Sequence, residues 1–261
     1  MAAPIFLLTD FGDRDAYVGV MKAIMLSIDP SLVILDLCHG IEPQNVVSAA
    51  YVLSSAVQYL PNGSIVVAVI DPGVGTSRRI GVFVFDHFVL LAPDNGLATL
   101  VLEQFRCEMA VALDPKQLVD RPPSATFHGR DLFAPAAAYL ATGNVHIDQL
   151  GSRVDAGSLI RLDLNPRFDG GPLKASILHI DRFGNIVTNV QAERWGITHE
   201  HHWMCRIGQD NIPLVRTYAD RGEGEPLAYI GSSGYVEIAI RNGSAVERYG
   251  KVPTVFIERQ G

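Results

Sequence analysis

From its amino-terminal end the chain alternates short apolar runs with stretches of helical periodicity. Ile5 to Asp10 reads as a strand ending in Thr9-Asp10-Phe11-Gly12-Asp13. From Asp15 the apolar positions Val18, Met21, Met25 and Ile28, joined by Val20 and Ile24, fall at helical spacing, with Asp15 placed to cap the start. Val33 to His39 repeats the strand signal. Asn45 to Leu60 repeats the helical one and is closed by Pro61-Asn62-Gly63. Ser64 to Ile70 is continuous and β-branched, which suits a strand buried on both faces of a parallel sheet. Successive β-α-β units predict a mainly parallel sheet flanked by helices, because parallel strands need crossovers. Gly81 to Asp86 and Phe88 to Ala92 then read as a hairpin turning at Asp86-His87. A short helix over Leu97 to Phe105, a strand over Met109 to Leu113 and an Ala-rich helix over Leu132 to Ala141, ending at Gly143, complete this part.

Near Leu164-Asn165-Pro166 the pattern changes. Pro and Gly thicken through Arg167-Phe168-Asp169-Gly170-Gly171-Pro172, and long helical periodicity stops. Leu173 to Ile180, Ile186 to Val190, Cys205 to Ile207, Leu214 to Tyr218, Leu227 to Ile230, Tyr235 to Ile240 and Thr254 to Ile257 read as strands separated by short turns. The expected layout is an α/β domain over 1–165, a linker at about 166–171 and a smaller all-β domain over 172–261, antiparallel and barrel-like.

Composition narrows the function. With 48% hydrophobic and 19% charged residues the 261-residue chain reads as soluble and globular, and its formal charge of -7 argues against nucleic acid as a partner. A cationic ligand suits that charge better. Cys38, Cys107 and Cys205 are scattered, with no Cys-x-x-Cys pair to suggest zinc or a disulfide framework, so a reducing cytoplasm is expected. Met1-Ala2-Ala3-Pro4 lacks the basic-then-apolar pattern of a leader, and every apolar run is too short for a membrane span.

Ionisable groups collect where the strands end. Ile70-Asp71-Pro72-Gly73-Val74-Gly75-Thr76-Ser77-Arg78-Arg79 places a carboxylate at the end of a buried strand, two glycines in the loop and a cation within reach. Such a loop is either a ligand site or a tight turn with a structural salt bridge. Asp10, Asp13 and Asp15 follow the first strand, where a carboxylate can hold ribose hydroxyls or cap a helix. Asp94 with Asn95, His128 with Arg130 and Asp131, the turn Asp181-Arg182-Phe183-Gly184-Asn185 and the turn Ser232-Ser233-Gly234-Tyr235 are the other polar clusters. His199-Glu200-His201-His202 lacks metal-ligand spacing and reads as a surface loop, so no metal or cofactor is expected. Gly73-x-Gly75 lacks the Lys of a phosphate loop.

Seven motifs, in order, carry a resemblance: Thr9-Asp10-Phe11-Gly12, Asp36-x-Cys38-His39, Asp71-Pro72-Gly73-Val74-Gly75, Ala92-Pro93-Asp94-Asn95-Gly96, Thr126-Phe127-His128-Gly129-Arg130-Asp131, Asp181-x-Phe183-Gly184-Asn185-x-x-Thr188-Asn189 and Ser232-x-Gly234-Tyr235. Together they resemble the S-adenosyl-L-methionine hydroxide adenosyltransferases, adenosine-forming hydrolases related to bacterial fluorinase and chlorinase. The resemblance implies a homotrimer with sites between subunits, S-adenosyl-L-methionine as a small-molecule substrate, and a water-positioning triad of Asp71, Arg78 and His128. It further implies that Asp10 holds the ribose diol, that Asp181 and Asn185 meet the methionine amino and carboxylate groups, and that Ser232 assists at the carboxylate. Phe127, Phe183 and the backbone near Asn242 would surround the adenine or the chain, with Asp94, Asn95 and Tyr235 also at the substrate. Halogenating relatives carry Tyr at the position of Asp71, Thr at Val74, a Tyr-Ser pair at His128-Gly129, Arg at Ser233 and an aromatic residue at Gln44. The departures at Asp71, Val74 and His128-Gly129 point away from halide and towards water, whereas Ser233 removes a bidentate clamp on the methionine carboxylate and Gln44 implies a wetter pocket. A halogenase and a non-catalytic binder of adenosyl ligands are the alternatives; the binder would not need Asp71, Arg78 and His128 together. A metal hydrolase is a weaker one.

Overall fold

The computed structural model describes residues 2–118, 122–251 and 253–260, so Met1 and Gly261, the outer limits of the two expected domains, lie outside the described residues. The chain divides into two compact units, Met1–Leu162 and Asp163–Gly261. Residues 166–171 fall in the second unit, where Arg167 and Lys174 exchange both backbone hydrogen bonds at 3.0 and 2.9 Å.

In the first unit the apolar runs become β1 (Ile5–Thr9), β2 (Ile34–Cys38), β3 (Ser64–Val69), β4 (Ile80–Val84), β5 (Phe88–Pro93), β6 (Met109–Leu113) and β7 (Gly151–Arg153). The described strands form one sheet in the order β2-β1-β3-β5-β4-β6-β7. The strands β2, β1, β3 and β5 run parallel, and β4 lies antiparallel to β5 as the first arm of the expected hairpin. Successive side chains point to opposite faces, so Ile5 and Leu7 join one core while Phe6 and Leu8 join the other. Helices α1 (Tyr17–Ile28) and α4 (Ala134–Thr142) cover the first face, α2 (Val46–Val57) and α3 (Thr99–Gln104) the second. The alanines 134, 136, 137 and 138 of α4 are fully buried, which lets this helix lie close on the sheet.

Helix ends differ from expectation in two places. Asp15 does not cap α1: the helix begins at Tyr17, and Ala16 occupies the capping position without a side-chain bond. The Ala-rich helix is preceded by a π-turn over Gly129–Phe133, in which the Ala134 amide reaches the Gly129 carbonyl. Pro135 explains it, since a residue without an N–H cannot close the ordinary bond to Asp131. Asn45 caps α2 as its type favours, accepting from the Ser48 amide at 3.0 Å, and Gly143 ends α4 in the left-handed region.

The second unit holds β8 (Leu173–Ala175), β9 (Ile177–Ile180), β10 (Ile186–Gln191), β11 (Trp203–Ile207), β12 (Asp210–Pro213), β13 (Pro226–Ile230), β14 (Tyr235–Ile240), the short helix α5 (Ala245–Tyr249) and β15 (Val255–Arg259). They make two four-stranded antiparallel sheets, β13-β14-β10-β9 and β12-β11-β15-β8, around one core. The strand expected over Leu214 to Tyr218 lies earlier, at Asp210–Pro213, because Gly208 at φ 59° turns the chain straight back along β11.

Candidate active site

Strand β1 leads through α1 to β2 on one side, and α2 carries the chain back to β3 on the other. The strand order therefore reverses between β1 and β3, the position where open α/β sheets leave a crevice. Asp10 follows β1 directly and Asp71 follows β3 by two residues. A cavity of about 350 Å³ opens there, with Asp10, Gln44, Asp71, Phe127 and His128 in its wall. Phe11, of the Thr9-Asp10-Phe11-Gly12 motif, and Tyr17, not singled out from sequence, also line it, and with Phe127 they form an aromatic cluster with ring centroids 5.2–6.0 Å apart. Tyr17 carries no motif of its own; only its place at the start of α1 brings it here.

Asp10 is fixed by a neighbour in the cavity wall. Its Oδ2 accepts the Gln44 amide at 2.7 Å, and that bond holds Gln44 at φ 65°, a conformation that side-chain-bearing residues resist. Its Oδ1 has no hydrogen bond among the described residues.

The central loop joins Asp71, Arg78 and His128. Arg78 Nε lies 2.9 Å from both Asp71 oxygens, its terminal nitrogen also donates to Oδ2, and the same nitrogen is 2.7 Å from His128 Nδ1. The Asp71 and Arg78 side chains are 5% and 10% exposed, so solvent screens the pair weakly. A guanidinium only donates, so His128 Nδ1 must accept and the ring proton sits on Nε2. Burial, then the Arg78 charge, lower the proton affinity of His128, against the smaller pull of Asp71 and Asp131. The imidazole is neutral. It makes no capping bond to the following turn. Gly75, at φ 79°, permits this assembly: a Cβ there would stand 2.4 Å from the Ala125 carbonyl oxygen, three residues before His128.

Arg79 and Asp94 form a separate pair. Asp94 is 5% exposed, accepts from Arg79 Nε at 2.8 Å and from the Ile160 amide at 2.8 Å, while Arg79 also donates to the Ser158 carbonyl at 2.7 Å. Asn95 donates to the Ile70 carbonyl at 2.9 Å and accepts from the Leu97 amide at 3.2 Å. Neither side chain lines the cavity; Asn95 braces the backbone just before Asp71.

In the second unit the Asp181–Asn185 turn is knit by its own side chains. Asp181 Oδ1 accepts the Phe183 and Asn185 amides at 2.8 Å each, and Oδ2 accepts Asn185 Nδ2 at 2.7 Å. Phe183 stands 78% exposed at its tip. Gly184, at φ 81°, lets the turn lie against Ser244, whose Oγ would be 2.2 Å from a Cβ, and its carbonyl accepts the Val246 amide at 3.0 Å. The Asn242 turn, with Asn242 at φ 55°, thereby adjoins it. Ser232 is exposed on the turn between β13 and β14, whereas Tyr235 is 5% exposed within β14. Among the described residues no group of three or more His, Cys, Asp or Glu side chains is placed to hold a metal ion.

Comparison with known proteins covers both units. Residues 5–151 match the SAM hydroxide adenosyltransferase N-terminal domain and residues 175–254 its C-terminal domain. A Thermus thermophilus protein named (R)-S-adenosyl-L-methionine hydrolase is 40% identical over 254 residues, covering 95% of each chain. A fluorinase from an Actinoplanes species is 28% identical, covering 90% of each. A crystal structure of an uncharacterized conserved protein from Thermotoga maritima superposes with a TM-score of 0.86 at 32% identity, covering 97% of this chain and 99% of that one. Across both units, the chain belongs to the SAM hydroxide adenosyltransferase family.

Proposed function

We propose that the protein hydrolyses S-adenosyl-L-methionine to adenosine and L-methionine by attack of water at the ribose C5′. The observation that carries this reading is the bonded chain Asp71–Arg78–His128, whose two ends, Asp71 and His128, lie in the wall of the cavity that Asp10 also lines. The 40% identical hydrolase supports the substrate. In the reaction the water oxygen bonds to C5′ as the carbon–sulfur pair leaves with sulfur. The sulfonium charge vanishes into a neutral thioether, a change that a pocket poor in water favours.

Free water is a weak acid, with a pKa of about 15.7, but water bonded to carbon as an oxonium is a strong one, so a carboxylate suffices to take its proton. Asp71 fills that role. His128 cannot take a proton at Nδ1 while Arg78 donates there; its Nε2–H instead orients a water lone pair. Arg78 holds both partners, and paired with Asp71 it brings no net repulsion to a cationic substrate. Asp10 Oδ1 receives the ribose hydroxyls. Phe127, Asp181, Phe183, Asn185, Ser232 and the Asn242 turn hold the remaining parts, while Asp94, Asn95 and Tyr235 act through the backbone they brace. The protein acts without a cofactor in the cytoplasm, as a homotrimer whose sites are completed between subunits. Light scattering should return three times the 28.4 kDa chain mass, and a monomer would refute the assembly.

The test is incubation with S-adenosyl-L-methionine, with and without a chelator or chloride, followed by chromatography. Equal amounts of adenosine and methionine, unaffected by either addition, are expected. A 5′-chloro product would favour the halogenase; unchanged substrate under every condition would leave only a binder.

A further inference from the structure

The motif Asp36-x-Cys38-His39 takes no part in the water site, yet it reaches the residue before Asp10. His39 Nδ1 lies 2.8 Å from Thr9 Oγ1, and its Nε2 lies 2.9 Å from Asp36 Oδ1. Lys22 of α1 donates to the other Asp36 oxygen at 2.6 Å. Thr9 is the last residue of β1 and is fully buried. Its Oγ1 also accepts the Phe11 amide at 3.2 Å, spanning Asp10. Neither Thr9 nor His39 belongs to the cavity wall.

A one-residue bulge creates this meeting. Leu7 pairs with Asp36 but Leu8 pairs with Cys38, so Leu37 is an extra residue on β2. One step further along, His39 and not Cys38 stands beside Thr9. The loop that follows grips the β1 turn twice more: the His39 carbonyl accepts the Gly12 amide at 2.8 Å, and the Gln44 amide donates to Asp10 Oδ2 at 2.7 Å. Of these three contacts, only the one made by the His39 ring depends on a side chain of the gripping loop. A threonine hydroxyl rotates unless its partners hold it. With the ring steadied by Asp36, Thr9 Oγ1 stays turned to the Phe11 amide, and the turn carrying Asp10 keeps one direction.

We propose that His39 is a positioning residue: through Thr9 it sets the direction of the turn from Asp10 to Gly12, so that Asp10 Oδ1 meets the ribose hydroxyls. This rests on the hydrolase reading for the place of the ribose and deepens it, tying selectivity for ribose over deoxyribose to a ring outside the cavity wall. Asp36 and Lys22 keep that ring in place. A merely structural tie between α1 and β2 would leave the selectivity unchanged when cut.

The experiment measures turnover of S-adenosyl-L-methionine, calorimetric binding of adenosine and of 2′-deoxyadenosine, and thermal melts. The wild type should bind adenosine more tightly than 2′-deoxyadenosine. His39→Leu and Thr9→Val, which keep bulk and lose the polar contact, should reduce that preference about 10-fold and raise KM about 10-fold, with kcat within about threefold. His39→Asn, whose amide can stand where Nδ1 stood, and Thr9→Ser, which keeps the hydroxyl, should hold the preference within about twofold of the wild type. Asp36→Ala, at a half-exposed position outside the core, should cost about threefold. An unchanged preference in His39→Leu, Thr9→Val and Asp36→Ala, whatever their melts, would overturn the positioning role. A wild type without the preference would overturn it too, and in either case turnover by the wild type leaves the hydrolase reading standing. Unconsumed substrate beside a preference that these variants lose would overturn the hydrolase reading alone.

Discussion

Arg78 reaches both other members of the proposed water site, and its replacement separates catalysis from binding. Arg78→Ala should lower kcat by about 100-fold or more while KM stays within about threefold, because the guanidinium orders groups needed only as bonds change. Arg78→Lys should not restore the rate, since an ammonium lacks the planar fork that meets Asp71 through two nitrogens. Steady-state kinetics decide this, and a rise in KM alone would remove Arg78 from the water site. His128 sets a pH dependence. Burial and the Arg78 charge place its folded proton affinity below the ordinary value of 6.5. The unfolded chain thus takes up this proton first as pH falls, and stability linked to His128 is full above 6.5 and declines below it. Plotted against pH, kcat/KM should have an acid limb with its midpoint below 6.5, lost in His128→Gln; a limb that survives the substitution belongs to another group. Asp71, Arg78 and His128 were legible from sequence because each sits in a motif beside a strand end or a helix start. Tyr17 was not: it lies in no motif, and only the start of α1 brings its ring to the cavity.

Among the elements, the loop from Asp71 to Arg78 depends on its approach to the segment before His128. Gly75→Ala would cost about 1–2 kcal/mol for the left-handed conformation alone, and its methyl group would overlap the Ala125 carbonyl oxygen unless the backbone shifts. The melt should shift down modestly and activity should fall at least about 10-fold, because the loop and the histidine segment move apart. Full activity would show that the approach is not needed. The β-α-β order was readable because buried parallel strands leave continuous apolar runs, and their ends mark the crevice. Ends of elements were less readable. Asp15 has the right type for a cap but the helix starts beyond it, and the π-turn before α4 follows from Pro135 together with packing that periodicity does not encode. β12 was displaced from expectation because the polar Asp210-Asn211 pair hides a strand that Gly208 turns back on β11.

At the scale of the molecule, two units with separate cores carry two kinds of chemistry. The first carries the charged groups of the cavity at the switch point of its sheet; the second carries turns such as Asp181–Asn185, knit by their own amides and side chains. Family membership spans both. The most direct test of the central claim is turnover of S-adenosyl-L-methionine in water enriched in oxygen-18, with mass spectrometry of the products. Adenosine carrying one heavy oxygen at the 5′-hydroxyl, formed in equal amount to unlabelled methionine, is the predicted result; unconsumed substrate, or a nucleoside product without the label, would contradict it.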